Sequence, residues 1–160
     1  MAKMWAGRTG GVTEQIADDF NSSISFDQRM VEEDIKGSMA HATMLSSKNI
    51  ISEAECDAIL QGLEGILADI KSGALKIDPN AEDIHMFVEE VLTARIGDAG
   101  KKVHTARSRN DQVALDVRLY LKKEIATIFD KVKKLAGVVT DKAETYKDAI
   151  LPGYTHLQRA

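Results

Sequence analysis

The stretch that decides the fold is residues 111–151, DQVALDVRLYLKKEIATIFDKVKKLAGVVTDKAETYKDAIL. Its apolar side chains recur every three or four positions, which is the spacing of one helix face. They are Val113, Val117, Leu121, Ile125, Ile128, Val132, Leu135, Val139, Ala143, Tyr146 and Ile150. No proline interrupts the stretch before Pro152. A helix of this length exceeds about 50 Å and cannot bury its apolar face in a small globule, so the pattern predicts a helix of a bundle or of an oligomer interface.

Shorter helices are predicted upstream. A short helix is predicted over residues 12–20, followed by a turn-like segment, NSSISFD, at residues 21–27. Asp27 is predicted to cap the next helix, in which Val31, Ile35, Met39, Ala42 and Leu45 share one face. Gly37 weakens this helix, which suggests a close contact with another element at that position.

Two further helices carry their own boundary signals. Ser52 and Glu55 form an S-x-x-E capping box, and Gly73 is placed to end that helix. Asn80 is predicted to cap the following helix and Gly97 to end it, with a basic loop over residues 98–107 beyond. No segment alternates with a period of two over a useful length, so the fold class is predicted to be all-α.

The composition excludes several classes of partner. The chain has 160 residues, 44% hydrophobic and 29% charged, with a net charge of -4, which is typical of a soluble protein without nucleic-acid or anionic-membrane binding. No apolar run approaches the roughly 20 residues that cross a bilayer, and the N-terminus lacks the apolar region of a secretory signal. Cys56 is the single cysteine, so no internal disulfide can form. A cytoplasmic protein is expected.

The segment KKVHTARSRNDQ, residues 101–112, has the composition of an anion site. It carries Lys101, Lys102, Arg107 and Arg109, and no acidic residue comes before Asp111. It leads into the start of the long helix, where free N–H groups and the helix dipole favour an anion. Arginine suits a carboxylate or phosphate. The alternative is a solvated loop whose polar residues only cap the helix.

The segment LPGYTHLQRA, residues 151–160, brings two chemically useful residues side by side. Thr155 can donate a hydrogen bond to a carboxylate, and His156 can transfer protons near neutral pH. The alternative is that His156 is an ordinary surface or packed histidine.

The strings HTARSRNDQ and GYTHLQRA, in this order, resemble two signature segments of the argininosuccinate lyases, in the fumarase and aspartase superfamily. WAGR, NSSISFD and EDIHMFVE are similar to the family's other N-terminal segments. The family usually has glycine where Ala6 and Ala106 stand. The resemblance implies an N-terminal part of such an enzyme, with a small helical domain over residues 1–110 that carries substrate-binding loops. Residues 111–160 then supply the first long bundle helix and the start of the GYTHLQ segment.

The resemblance also implies a reaction and its residues. The family cleaves argininosuccinate to arginine and fumarate by β-elimination in arginine biosynthesis. Ser23, Asn110 and Thr155 are expected to bind substrate, Arg109 to add positive charge, and His156 to act as acid or base. Asp83 and His85 match a family motif and are assigned to substrate binding. For Asp83, which could orient a cationic group, a helix cap is the alternative.

Further expectations concern assembly and cofactors. The resemblance implies a homotetramer whose active sites are shared between subunits, with no metal and no organic cofactor. The family's third signature loop, which carries a serine that transfers protons, is absent from these residues, so the chain alone is expected to be inactive. The alternatives are a catalytically silent, crystallin-like structural member, a sister lyase acting on fumarate or adenylosuccinate, and a helical module that binds a partner.

Overall fold

A computed structural model describes residue 16 and residues 20–160. The helices are α1 (Ile24–Asp27), α2 (Val31–Ser47), α3 (Glu53–Ser72), α4 (Ile84–Ile96), α5 (Asp98–Lys101) and α6 (Arg109–Thr145), with 3₁₀ turns at Gln28–Met30 and Lys102–His104. Two-residue strands, β1 (Tyr154–Thr155) and β2 (Gln158–Arg159), pair antiparallel. The all-α prediction is confirmed. The WAGR segment and most of the helix predicted over residues 12–20 lie outside the described residues.

The chain forms two compact units, the first ending at Tyr120 and the second comprising Leu121–Ala160. The core of the first unit lies between α2, α3 and α4. Its largest fully buried apolar side chains are Ile35, Leu45, Ile59, Leu63, Ile66, Ile84 and Leu92. Gly37 lies where α2 meets the first turns of α6, because a Cβ built there would stand 3.0 Å from Leu115 Cδ2. The close contact predicted at Gly37 is therefore confirmed.

Local boundary signals predicted several helix ends correctly. The Ser52 side chain accepts from the Glu55 N–H while the Glu55 side chain accepts from the Ser52 N–H, which is the predicted capping box. Gly73 ends α3 with φ 78°, and Gly97 ends α4 with φ 68°. Both angles lie in the left-handed range that glycine adopts without a Cβ penalty.

Other boundary predictions are wrong. Asp83, not Asn80, caps α4. Asp27 lies within α1 and does not cap α2, whose N-cap is Met30 without a side-chain bond. Its carboxylate instead accepts from the Ile84 N–H, 57 residues away. The turn-like segment ends in the helical turn α1, and the predicted basic loop contains α5 and a 3₁₀ turn.

The long helix is present as predicted, because α6 begins at Arg109 and runs without a break. It ends at Thr145, so the apolar pattern that continues to Ile150 extends beyond the helix. Beyond Tyr120 its apolar face is exposed, with Ile125 63%, Val132 59% and Leu135 63% accessible. Among the described residues, no helix combines the length and apolar character needed to cross a membrane.

Candidate functional site

The start of α4 is held by two carboxylates. Asp83 has an extended backbone, and its Oδ1 accepts from the Met86 N–H at 2.6 Å. Asp27 Oδ1 accepts from the Ile84 N–H at 3.2 Å. Both bonds satisfy N–H groups that have no partner within the helix, and negative charge is favoured at this end of the helix dipole. The alternative role of Asp83 as a helix cap is thus observed.

Ser23 lies at the same place. Its N–H donates to the Glu82 carbonyl at 2.8 Å, and its hydroxyl donates to Asp27 Oδ2 at 2.5 Å. Burial is the largest influence on Asp27 and raises its pKa, while the hydrogen bonds from Ser23 and Ile84 oppose that rise. Because the Ser23 proton is engaged by Asp27, the hydroxyl oxygen is oriented to accept from another donor.

Arg109 reaches the same helix start from α6. Its Nε lies 3.4 Å from Asp83 Oδ2, and both side chains are largely covered, at 21% and 17% exposure. Its Nη1 donates to Gln112 Oε1 at 3.0 Å. The next residue, Asn110, is exposed in the first turn of α6. Three residues predicted for the site, Ser23, Asp83 and Arg109, are therefore brought together at the starts of α4 and α6, and Asn110 follows Arg109 at an exposed position.

The His85 side chain is buried, so it is not exposed to a substrate in this structure. Its side chain is only 2% exposed, and its Nδ1 lies 2.9 Å from Asp34 Oδ1 and 3.4 Å from Asp116 Oδ2. Burial disfavours the charged imidazole, but the hydrogen bond and charge of Asp34 outweigh it and raise the pKa of His85. His85 therefore lies behind Asp83 in the wall of the site.

The buried cluster around His85 contains residues that the sequence analysis missed. Burial, followed by the nearby charge of Asp34, raises the pKa of Asp116 to about 7. Gln112 Nε2 donates to Asp34 Oδ1, and Arg107 Nη2 lies 3.9 Å from the same oxygen. Gln112 and Asp116 lie four positions apart on one helix face, but nothing in the sequence marks that face as buried, so this cluster depends on how α6 packs.

Three members of this cluster could hold a metal ion by distance alone. Ligand atoms of Asp34, His85 and Asp116 all lie within 4.8 Å of one another. Arg107 already places positive charge beside Asp34, and the raised pKa of Asp116 means that a proton is bound there readily. The arrangement therefore suits a shared proton better than a cation. An adjoining cavity of about 10 Å³ has room for one water molecule and not for a substrate.

Thr155 and His156 belong to the second unit, where they form part of a tight hairpin. Thr155 pairs with Gln158, and the two turn residues between them, His156 and Leu157, have φ of 49° and 62°. Positive φ at both positions is the type I′ geometry that matches strand twist, although Asn-Gly is its usual sequence. Both side chains are exposed, so the His156 imidazole is accessible to solvent.

The segment that leads into α6 contains a left-handed residue. Ala106 has φ 54°, in a region that a side chain with a Cβ rarely adopts. Glycine, which the family resemblance implies at this position, would adopt this angle without a Cβ penalty.

The known proteins that this chain is similar to are lyases. The sequence profile of a family described as Lyase matches residues 7–160. The chain is 54% identical over 158 residues to the argininosuccinate lyase of Heliobacterium mobile and 56% identical over 158 residues to that of Moorella thermoacetica. Each alignment covers 99% of this chain and 34% of the relative. The chain thus spans about a third of the length of the curated relatives it matches.

Proposed function

Because this chain belongs to the lyase family, we propose that it forms the substrate-binding part of an argininosuccinate lyase, which cleaves argininosuccinate to arginine and fumarate by β-elimination. One observation carries the proposal. Arg109 and Asp83 meet at the adjoining starts of α6 and α4, with Ser23 beside them.

The chemistry of elimination calls for such a group. A base removes a proton from the carbon next to a carboxylate, and the extra negative charge moves onto that carboxylate before the nitrogen leaves. Donors and cations aimed at the carboxylate lower the barrier. Arg109 supplies positive charge, and the free N–H groups at the start of α6 add to it. Asn110 adds a neutral donor, and Ser23 offers an acceptor for an amine or guanidinium of the substrate.

Asp83 and His85 take part indirectly in this proposal. Asp83 holds Arg109 at 3.4 Å, so it sets the direction of the guanidinium. His85 is 2% exposed and bonded to Asp34, so it supports the start of α4 from behind and does not bind substrate itself.

Proton transfer is assigned to His156, with Thr155 next to it as a donor to substrate. His156 either removes the proton or protonates the leaving nitrogen. By the family resemblance, the second proton-transfer group is a serine of a later loop. No metal or organic cofactor takes part in this scheme.

The exposed apolar face of α6 supports the assembly part of the proposal. Ile125, Val132 and Leu135 are each more than half exposed at 63%, 59% and 63%, and an uncovered stripe of this kind marks an interface. We propose a cytoplasmic homotetramer in arginine biosynthesis that packs these helices together and shares each active site between subunits.

The function is tested on the full-length protein with a panel of substrates. Fumarate release from argininosuccinate, and not from adenylosuccinate, malate or aspartate, is expected. His156→Asn should lower turnover by about 100-fold, since a positioned acid or base contributes that much, with the melting temperature unchanged. Arg109→Ala and Asn110→Ala should also raise KM.

Met44→Leu serves as a control, because this side chain is exposed on α2, at 42%, and no proposed role in the reaction is assigned to it. An intact protein that cleaves none of the four substrates would support the structural, crystallin-like alternative. Near-normal turnover of His156→Asn would make His156 a scaffold residue.

A further inference from the structure

Thr105, Ala106, Arg107 and Ser108 set the direction in which α6 begins. Thr105 has an extended backbone, with φ -59° and ψ 131°, and Ala106 then turns into the left-handed region with φ 54°. Arg109 and Asn110 follow at once as the first two residues of α6. The position of the two proposed substrate-binding residues therefore depends on a short turn that alanine adopts unfavourably.

Two side chains of α2 hold this turn, one on each side of Ala106. His41 Nε2 lies 2.8 Å from the Thr105 carbonyl oxygen. Arg107 Nη1 donates to Ser38 Oγ at 3.1 Å. Ser38 and His41 are three positions apart, so they project from the same face of α2. The turn is thus fixed on a helix that belongs to the core of the first unit.

The His41 contact has a defined direction. A carbonyl oxygen can only accept a hydrogen bond, so Nε2 of His41 must carry the hydrogen. The bond spans 64 residues and is partly buried, so water replaces it poorly when it is lost.

We propose that His41 is a positioning residue of the lyase reaction. By holding the Thr105 carbonyl, it fixes the left-handed turn at Ala106 and with it the orientation of Arg109 and Asn110. This inference rests on the proposed substrate-binding role of those two residues. His41 itself does not touch the substrate.

The test uses the full-length protein and two amide replacements of similar polarity. In His41→Gln, the side-chain amide reaches the place of Nε2 and can donate to Thr105. In His41→Asn, the shorter side chain places its amide near the position of Nδ1 and falls short of that carbonyl. We expect His41→Asn to raise KM for argininosuccinate about tenfold, with a smaller change in kcat, and His41→Gln to restore KM to within about threefold of the wild-type value.

A second measurement does not depend on activity. Amide hydrogen exchange in residues 105–112 should be faster in His41→Asn and close to wild type in His41→Gln, with exposed Met44→Leu as the control on the same helix. Equal KM values for the two amide variants in an active enzyme would overturn the positioning role. Equal exchange would overturn the contact itself. A wild-type protein that releases no fumarate would instead refute the proposed function.

Discussion

Asp83 joins the starts of two helices, because its Oδ1 caps α4 at the Met86 N–H while its Oδ2 lies 3.4 Å from Arg109 Nε at the start of α6. One carboxylate thus has a structural bond and an electrostatic contact on different oxygens. The two roles can be separated by substitution, because the cap needs only an acceptor and the arginine contact needs a charge.

Asp83→Asn should keep the cap and lose the charge. Asparagine caps helices about as well as aspartate, so the free energy of unfolding should change by less than about 1 kcal/mol. KM for argininosuccinate should rise several-fold, because Arg109 loses one of the contacts that orient it. Asp83→Ala removes both roles and should also cost about 1 kcal/mol of stability. Urea unfolding of both variants tests the helix cap, and steady-state kinetics tests the contact with Arg109. An unchanged KM in Asp83→Asn would show that Arg109 is oriented by other contacts.

Asp116→Asn tests the protonation of the buried cluster. The pKa of Asp116 moves from its ordinary 3.8 to about 7 on folding, so the folded chain binds the proton more tightly than the unfolded chain. This stabilisation is complete below about pH 4 and is lost as pH rises to about 7. Asparagine imitates the neutral acid at every pH. The variant should therefore be more stable than wild type at pH 8, by a few kcal/mol since one pKa unit corresponds to about 1.4 kcal/mol, and similar to it at low pH.

The measurement is the melting temperature of the full-length protein between about pH 5 and 8. This range covers the deprotonation of Asp116 in the folded protein. His85 lies 3.4 Å from Asp116 Oδ2 and its pKa is also raised, so the pH dependence of the difference includes the electrostatic coupling between these two groups. Asp148→Asn, at an exposed position, is the control and should show no such pH dependence. A constant difference between Asp116→Asn and wild type across this range would contradict the assigned proton.

Ala106→Gly should stabilise the protein. Alanine in the left-handed region, here at φ 54°, costs roughly 1–2 kcal/mol of stability. Glycine avoids this cost but lowers the free energy of unfolding by about 0.4–1 kcal/mol, because it gives the unfolded chain more conformational freedom. The balance is a gain of about 0.5–1 kcal/mol in the free energy of unfolding. Ala68→Gly, at an exposed position inside α3, should have the opposite sign. Chemical denaturation of both variants gives the comparison, and a loss of stability in Ala106→Gly would mean that the turn is not strained.

The sequence predicted those parts of the fold that depend on neighbouring residues. The capping box of Ser52 and Glu55 and the glycine ends at Gly73 and Gly97 are satisfied within one helical turn, so the local pattern was sufficient. The long helix was predicted to start between Ser108 and Asp111, and α6 starts at Arg109. It was also predicted to end before Pro152, and it ends at Thr145, although the apolar spacing continues to Ile150.

The errors concern contacts between residues far apart in the chain. Asp27 was predicted to cap α2, but its carboxylate accepts from the N–H of Ile84 at the start of α4. The hydrogen bond between His85 and Asp34, 51 positions apart, is likewise a long-range contact that the sequence could not indicate. The family resemblance predicted which residues belong to the candidate site. The composition of residues 101–112 independently predicted that an anion binds there. Neither could indicate that Asp83 and Arg109 share one contact, since that depends on how α4 and α6 pack.

Residues 1–160 by themselves should show no measurable lyase activity and should self-associate. They span about a third of the length of the relatives, 34%, and hold one proposed proton-transfer residue, His156, without the serine that the family resemblance places in a later loop. A missing acid or base alone lowers the rate by about 100-fold or more. Fumarate release by this polypeptide, measured beside the full-length protein, tests the first point, and turnover within about tenfold of the intact enzyme would refute it.

Self-association should proceed through the exposed apolar face of α6, where Ile125 and Val132 are 63% and 59% accessible. Replacing both by lysine should lower the mass found by light scattering, because the stripe then carries charges that an apolar interface cannot bury without a large penalty. Lys134→Gln, at an exposed position on the same helix, is the matched control and should leave the mass unchanged. A monomeric wild-type polypeptide at high concentration would contradict the role of this face, whereas a double-lysine variant that associates as strongly as wild type would place the interface elsewhere.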